Sequence, residues 1–252
     1  MKLGFIITGR MKSTRLPKKL TIKIKEREVI SWMIERAKLR FKKEDIVIAT
    51  STNPQDDALE DIANREGIKV FRGGEEDVIK RLYLAAKENK YDAFINITAD
   101  CPLFGFDLID SIENALEVEK ADLVTQLDFP HGIFTYGIKT SSIEKILEIK
   151  KTDQTEVWGD YFYTNPDLFK VVKIDPSAEM IRPDYRLTLD YPEDLEFFKA
   201  VYSHFGLNTY KIGSKELVQF LDDNPCIVNI NKECKALYQK RWEAQKATEI
   251  EK

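Results

Sequence analysis

Residues that bind transition metals or act as thiol nucleophiles are scarce in this chain. It has two histidines, His131 and His204, and three cysteines, Cys101, Cys226 and Cys234. No CxxC pair occurs, and two imidazoles do not complete a ligand set, so no zinc site is expected. Cys101 lies beside a candidate site carboxylate with no histidine near it in the sequence, which favours packing of a small buried residue over nucleophilic chemistry. Two phosphate-binding signatures are missing as well: neither G-x-x-x-x-G-K-[ST] nor G-x-G-x-x-G is present, which excludes a Walker loop and a dinucleotide fingerprint. No apolar run reaches the length of a membrane span, and strand-like residues begin at position 3 without a secretory leader pattern. A cytoplasmic protein with no membrane partner is therefore expected. Nor is there an excess of positive charge. Against 43 acidic residues stand 39 Lys and Arg, a net charge of −4, which argues against non-specific nucleic-acid binding as the main role. Internal repeats and low-complexity tracts are lacking too.

What is present fits one globular unit. With 252 residues, 43% hydrophobic and 33% charged, the chain can bury one substantial core and reads as a single domain over 1–252. Strands are expected near 3–8, 45–50, 68–71, 92–98 and 122–126, and helices near 28–40, 54–66, 76–89 and 106–117. This alternation predicts an α/β fold, a doubly wound and mostly parallel Rossmann-like sheet with right-handed crossovers. From 127 to 185 the periodicity weakens, and short strands are expected only at 132–138 and 169–175. That stretch reads as a small inserted subdomain for acceptor binding or dimerisation. A strand over 186–190 should return to the main sheet, before a helix signalled by Pro192 with Glu193 and Asp194 in its first turn. Residues 231–248 predict a polar helix, fraying over 246–252.

The most informative segment is GRMKSTRLPKK, residues 9–19. It follows the apolar run 3–7 and packs Arg10, Lys12, Arg15, Lys18 and Lys19 with Ser13 and Thr14 into one turn-prone loop. Such a loop suits a polyphosphate, because backbone N–H groups and positive side chains converge there. By composition alone, a solvated basic turn is the rival reading. The position directly after the first strand favours phosphate, since open α/β sheets bind ligands beyond the carboxyl ends of strands. The loops after the next three strands carry Thr50 and Ser51, then Arg72 and Gly73, then Asp100. Four polar clusters at four strand ends point to one site.

The motif Gly9-Arg10-x-x-Ser13-Thr14-Arg15-Leu16-Pro17-x-Lys19 resembles the nucleotide-binding signature of the CMP-sugar synthetases. These include the acylneuraminate and 3-deoxy-manno-octulosonate cytidylyltransferases, and the likeness is strongest to their SpsF-like relatives. It continues through Ile24, Trp32, Arg36, Ala49-Thr50-Ser51, Arg72-Gly73 with Asp77 and Arg81, and Asp100-Cys101-Pro102-Leu103. It resurfaces at Leu189-Asp190-Tyr191-Pro192-Glu193-Asp194-Leu195. The resemblance implies a glycosyltransferase-A-like nucleotidyltransferase that uses Mg²⁺ to join CMP from CTP to a small acidic or phosphorylated acceptor. Pyrophosphate would leave, the product would serve surface-polysaccharide assembly, and the protein would be a homodimer. The resemblance assigns nucleotide binding to Thr8, Gly9, Arg10, Ser13, Arg15, Lys19, Arg72, Gly73, Asp77, Arg81 and Ala99. It makes Asp100 and Asp190 the metal pair, and Arg10, Lys19 and Asp100 catalytic. Rival readings stay open at this point: an i,i+4 helix pair for Asp77 and Arg81, and a helix N-cap for a strand-end aspartate. At the level of function, the rivals are another nucleotidyl or glycosyl transfer in the same pocket, or a non-catalytic nucleotide-binding regulator. The joint presence of Arg10, Lys19, Asp100 and Asp190 argues against the regulator, because binding alone does not need a metal pair.

The residue types suit this chemistry. Attack of an acceptor oxygen on the α-phosphorus depends on positioning and on neutralising charge that grows on the leaving oxygens. Arg10 and Arg15 offer planar forks to phosphate and Lys19 a movable point charge. As loop cations they are expected to be exposed and to matter little for stability. Mg²⁺ takes one or two carboxylates together with phosphate oxygens and water. Departures from the SpsF-like pattern fall in the second half. Tyr136 stands in place of an acidic residue, and Glu156-Val157-Trp158-Gly159-Asp160-Tyr161 replaces Glu-His-Val-Thr. Tyr136, Glu156, Trp158 and Arg186 are the candidate acceptor contacts. Trp158, Tyr161 and Tyr163 have a packed core or dimer contact as their rival role.

Overall fold

A computed structural model describes residues 1–250, with the backbone alone at 242 and 244–250; of the stretch 246–252 expected to fray, 246–250 have helical backbone and 251–252 lie outside the described residues. In chain order the elements are β1 (Leu3–Thr8), β2 (Lys23–Ile24), β3 (Arg27–Glu28), α1 (Val29–Ala37), β4 (Ile46–Ser51), α2 (Asp57–Glu66), β5 (Lys69–Gly73), α3 (Val78–Glu88), β6 (Ala93–Thr98) and α4 (Ile109–Glu117). The second half adds β7 (Leu123–Gln126), β8 (Tyr136–Lys139), α5 (Thr140–Ile149), α6 (Asp160–Tyr163), β9 (Val171–Ile174), α7 (Pro192–Phe205), α8 (Ser214–Asp223), α9 (Pro225–Val228) and α10 (Cys234–Ile250).

Seven strands form one sheet in the order β5-β4-β1-β6-β8-β7-β9. Contacts among β5, β4, β1 and β6 are parallel, β8 runs antiparallel to both its neighbours, and β9 is parallel to β7. The first crossover goes from β1 to β4 on one side, and a later one brings β6 to its other side. The order therefore reverses at β1, which leaves a crevice beyond its carboxyl end. The register aligns that edge: Thr8 pairs with Ala49 and with Thr98. The loops that follow β1, β4 and β6 consequently start side by side.

Alternation along β1 divides the core between two faces. Phe5 and Ile7 pack with residues of α1, α4, α7 and α8, while Ile6 packs with α3, α5, Phe162 and Phe169. A sheet covered on both faces explains why the first strands read as continuous apolar runs. Local signals set the helix limits. Gly67 closes α2 at φ 69°, Asp77 caps α3 by accepting the Lys80 N–H, and Pro192 opens α7.

Two sequence expectations need correction in the second half. The 127–185 stretch does not stand apart from the main sheet, because β8 inserts between β6 and β7 and β9 extends the edge. Residues 186–190 form no strand; a single bridge joins Arg186 to His131. Their extended backbone instead meets loops: the Leu187 N–H donates to the His131 carbonyl at 2.7 Å, and the Leu189 N–H to the Asp100 carbonyl at 2.8 Å. Gly132, at φ +99°, permits this approach, since a Cβ there would lie 2.2 Å from the Leu187 carbonyl oxygen.

Candidate active site

The aligned strand ends open into a cavity of about 570 Å³. One wall is the 9–19 loop, with Arg10, Lys12, Ser13, Thr14, Arg15 and Lys19 facing in. The loop is fixed at its root. Gly9 packs so tightly that a Cβ would lie 2.5 Å from the Ala99 Cβ, so no other residue fits without displacing Ala99, the residue that follows β6. Its next turn is anchored by Asp56, a fully buried carboxylate that accepts the Met11 N–H at 2.7 Å and both the N–H and hydroxyl of Ser51.

At the floor, Lys19 joins the two aspartates. Its ammonium donates to Asp100 at 2.6 Å and to Asp190 at 2.9 Å, which puts those two carboxylate oxygens no farther than 5.5 Å apart, the sum of the contacts. Arg15 donates to the same Asp190 oxygen at 2.6 Å, and Arg186 holds the other at 3.0 Å. Burial acts to raise the Asp190 pKa, but the charges of Lys19, Arg15 and Arg186 outweigh it and hold the carboxyl well below the usual range. Burial likewise acts to lower the Lys19 pKa, and the two aspartates outweigh it to raise the value. The expectation of an exposed Lys19 that matters little for stability is therefore corrected: its side chain is 12% exposed and bears two ion pairs.

Above the floor, Arg10 approaches Glu75 and Glu76 at 3.6 Å each and Glu156 at 3.4 Å. Lys12 reaches Glu75 at 3.0 Å. The opposite wall is aromatic. His131, Tyr136, Trp158, Tyr163 and Tyr238 line it, with Tyr136 and Trp158 edge to face at 5.3 Å and His131 against Tyr238 at 4.9 Å. The antiparallel pairing of Tyr136 with Asn96 explains how the second half reaches the carboxyl end of β6. Burial pushes the Tyr136 and Tyr238 hydroxyls up to about 12, so both remain donors at neutral pH.

The predicted residues thus divide. Arg10, Ser13, Arg15, Lys19, Asp100, Asp190, Tyr136, Glu156 and Trp158 line the cavity. Thr8, Gly9 and Ala99 lie at its root, where the Ala99 N–H donates to the Thr8 carbonyl at 2.8 Å. Arg186 lies beneath the cavity, its side chain 1% exposed, donating to Asp190 and at 2.9 Å to Asp194. Arg72, Gly73, Asp77 and Arg81 are outside the cavity lining. Arg72 donates to the Ser51 and Asn53 carbonyls and pairs with Asp57 and Glu60. Asp77 accepts from Lys150 at 2.5 Å and from Thr155 at 3.1 Å rather than facing Arg81 as a helix pair. Arg81 donates to the Gly74 and Glu75 carbonyls, with burial lowering its pKa to about 10. Cys101 is buried, and burial pushes its thiol up, as packing rather than nucleophilic duty requires.

Asp56, Glu75, Glu76, His131, Thr188, Tyr238 and Arg241 were not singled out from the sequence. For the last two a signal existed: Cys234, Tyr238 and Arg241 recur at i, i+4 and i+7 on α10, and buried Cys234 marks the inward face.

A switch-point crevice with a cation-rich loop and paired aspartates defines an α/β nucleotidyltransferase. The chain belongs to the cytidylyltransferase family, whose model matches residues 5–241. It is 34% identical to an uncharacterized protein of Methanocaldococcus jannaschii over 92% of this chain and 95% of that one. It is 30% identical to the spore coat polysaccharide biosynthesis protein SpsF of Bacillus subtilis, over 88% and 94%. A solved cytidylyltransferase from Leptospira borgpetersenii superposes with a TM-score of 0.83 at 29% identity, covering 90% of this chain and 97% of that one.

Proposed function

We propose that this cytidylyltransferase transfers CMP from CTP to a small acidic or phosphorylated acceptor, with Mg²⁺ and with release of pyrophosphate. The observation that carries the reading is the junction of the 9–19 loop with Asp100 and Asp190 through Lys19. The donor set suits Mg²⁺. Two carboxylate oxygens already converge on one cation, and among the described residues no larger group of metal-binding side chains occurs. A site of two carboxylates leaves positions for phosphate oxygens and water, which is how Mg²⁺ is commonly held. Asp100 and Asp190 would hold the ion, which when bound draws charge from the α-phosphate oxygens.

The chain's own residues supply the rest. Lys19 and Arg15 exchange their aspartate partners for phosphate oxygens near the α-phosphorus. Arg10 and Lys12 take the departing phosphates and neutralise the charge that grows on them. Arg186 acts through Asp190, donating to its carboxylate from behind while two hydrogen bonds to Asp194 hold the guanidinium. The aromatic wall of Tyr136, Trp158 and Tyr238 positions the acceptor opposite the leaving group, and it offers hydroxyls and ring faces to a polar ring. A role in surface polysaccharide assembly draws support from the name of the Bacillus subtilis relative, and a homodimer from the family resemblance and, weakly, the aromatic second half. The test is a pyrophosphate-release screen with each of four nucleoside triphosphates against sugar acids, sugar phosphates and phosphonates. Release is expected with CTP and an anionic acceptor. Release with a purine nucleotide alone would overturn the reading.

A further inference from the structure

We propose that Glu75 and Glu76 are internal competitors for the pyrophosphate subsite, which weaken its hold and speed departure of the product. This rests on the proposed cytidylyl transfer for its setting, though not for its test.

The two residues lie in the turn between β5 and α3. Both carboxylates approach the same two cations: Arg10 at 3.6 Å each, and Lys12 at 3.0 and 3.8 Å. The turn is built to present them there. From below, Arg81 donates to the Gly74 carbonyl at 2.6 Å and to the Glu75 carbonyl at 3.0 Å. Arg10 donates to the Glu75 carbonyl at 3.1 Å as well. Asn53 donates to the Glu75 carboxylate from the side. Hydrogen bonding from Lys12 lowers the Glu75 pKa, so the carboxylate stays ionised at neutral pH.

The remaining cations show which phosphates these carboxylates imitate. Lys19 and Arg15 are engaged with Asp100 and Asp190, the carboxylates suited to the metal and hence to the α-phosphate. Arg10 and Lys12 are left for the outer two phosphates, and Glu75 and Glu76 pair with them. A triphosphate gains its nucleoside contacts and the metal in compensation when it displaces the two carboxylates. Free pyrophosphate, once cut from the nucleotide, lacks the nucleoside contacts. The carboxylates then return to Arg10 and Lys12, and the product leaves. Linkage demands that any group competing for these cations lowers pyrophosphate affinity by the same factor that pyrophosphate lowers its own.

Calorimetric titration of the full chain with inorganic pyrophosphate at fixed Mg²⁺ tests this. The double variant E75Q/E76Q keeps side-chain shape and removes both charges. It is expected to bind pyrophosphate about tenfold tighter than the wild type, the size expected for several partly exposed pairs. CMP serves as the control, because a general change of field would strengthen it equally, and its affinity is expected to stay within twofold. Should the double variant fail to fold, E76Q alone, whose carboxylate is half exposed, is expected to gain about threefold. Unchanged or weaker pyrophosphate binding would overturn the proposal, as would an equal gain for CMP. The titration involves no base or acceptor, so a wrong choice of nucleotide in the proposed function leaves its result standing.

Discussion

Replacing Lys19 by methionine removes a side chain that touches both site aspartates, and the structure sets the size of the loss. Breaking a fully buried ion pair costs about 3–5 kcal/mol, because the surviving charge is stranded. Here Asp190 keeps Arg15 and Arg186, and the Asp100 side chain is 19% exposed, so water takes part of the burden. A loss of about 2 kcal/mol follows, or roughly 4–8 °C in Tm for a chain of this size. The pH dependence carries a sign. The folded-state pKa of Asp190 is lowered, so its stabilisation is present above the unfolded value and is lost as pH falls through the folded one. That of Lys19 is raised, so its share is complete below the unfolded value and is lost only as pH rises through the folded one. The Tm gap between Lys19→Met and wild type is therefore expected to be widest near neutrality and to shrink below about pH 4. Turnover with CTP should fall about 10²- to 10³-fold, as for loss of one transition-state donor. Scanning calorimetry from pH 3 to 9 checks the first expectation. Equal Tm values for the two proteins at pH 7 would refute the ion-bridge account.

Asp190→Asn is expected to lower turnover by several powers of ten and to cost about 3 kcal/mol, since it neutralises the carboxylate that Arg15, Lys19 and Arg186 share, whereas Asp100→Asn should lower turnover alike with a smaller stability loss. Kinetics of the double variant should match the worse single one, because both aspartates serve one ion. Asp56→Ala removes the acceptor of the part-buried Met11 N–H and of the buried Ser51 donors; urea unfolding should show a loss of about 2 kcal/mol and the Michaelis constant for CTP should rise. Trp158→Ala should raise the Michaelis constant for the acceptor while leaving CTP affinity, read by calorimetry, within twofold.

The first half of the fold was legible because its signals are local and repeated. Strand β1, the 9–19 loop and helices α1 to α4 follow from apolar periodicity, and the sheet order turns those strand ends toward one another. Asp100 and Asp190, though ninety positions apart in the sequence, meet because residues 186–190 pack against the loop after β6. Their meeting was anticipated from motif resemblance, while the absence of a strand there was not. An extended segment bonded to loops has the same composition as a strand. Strand β8 was expected at 132–138 and runs from Tyr136 to Lys139; four residues that include Gly137 carry little alternation to fix its bounds, and its place between β6 and β7 is a non-local choice. Arg72, Asp77 and Arg81 show that charge at a strand end does not reveal its partner. Each is engaged by protein groups, and in sequence each looks the same as a ligand contact. Asp56, Glu75 and Glu76 went unseen because their partners lie in a different loop, and only the register of β1, β4 and β5 brings them together.

The central claim is that a cytidine triphosphate sits on the 9–19 loop with its metal at Asp100 and Asp190. Calorimetric titration of the four nucleoside triphosphates at saturating Mg²⁺, into wild type and Arg10→Ala, tests it most directly. CTP is expected to bind at least tenfold tighter than ATP, GTP or UTP, to lose most of that affinity in Arg10→Ala, and to raise Tm by an amount matching about 2.7 kcal/mol at a hundredfold excess over Kd. Tighter binding of a purine nucleotide, or CTP affinity unchanged by Arg10→Ala, would contradict it.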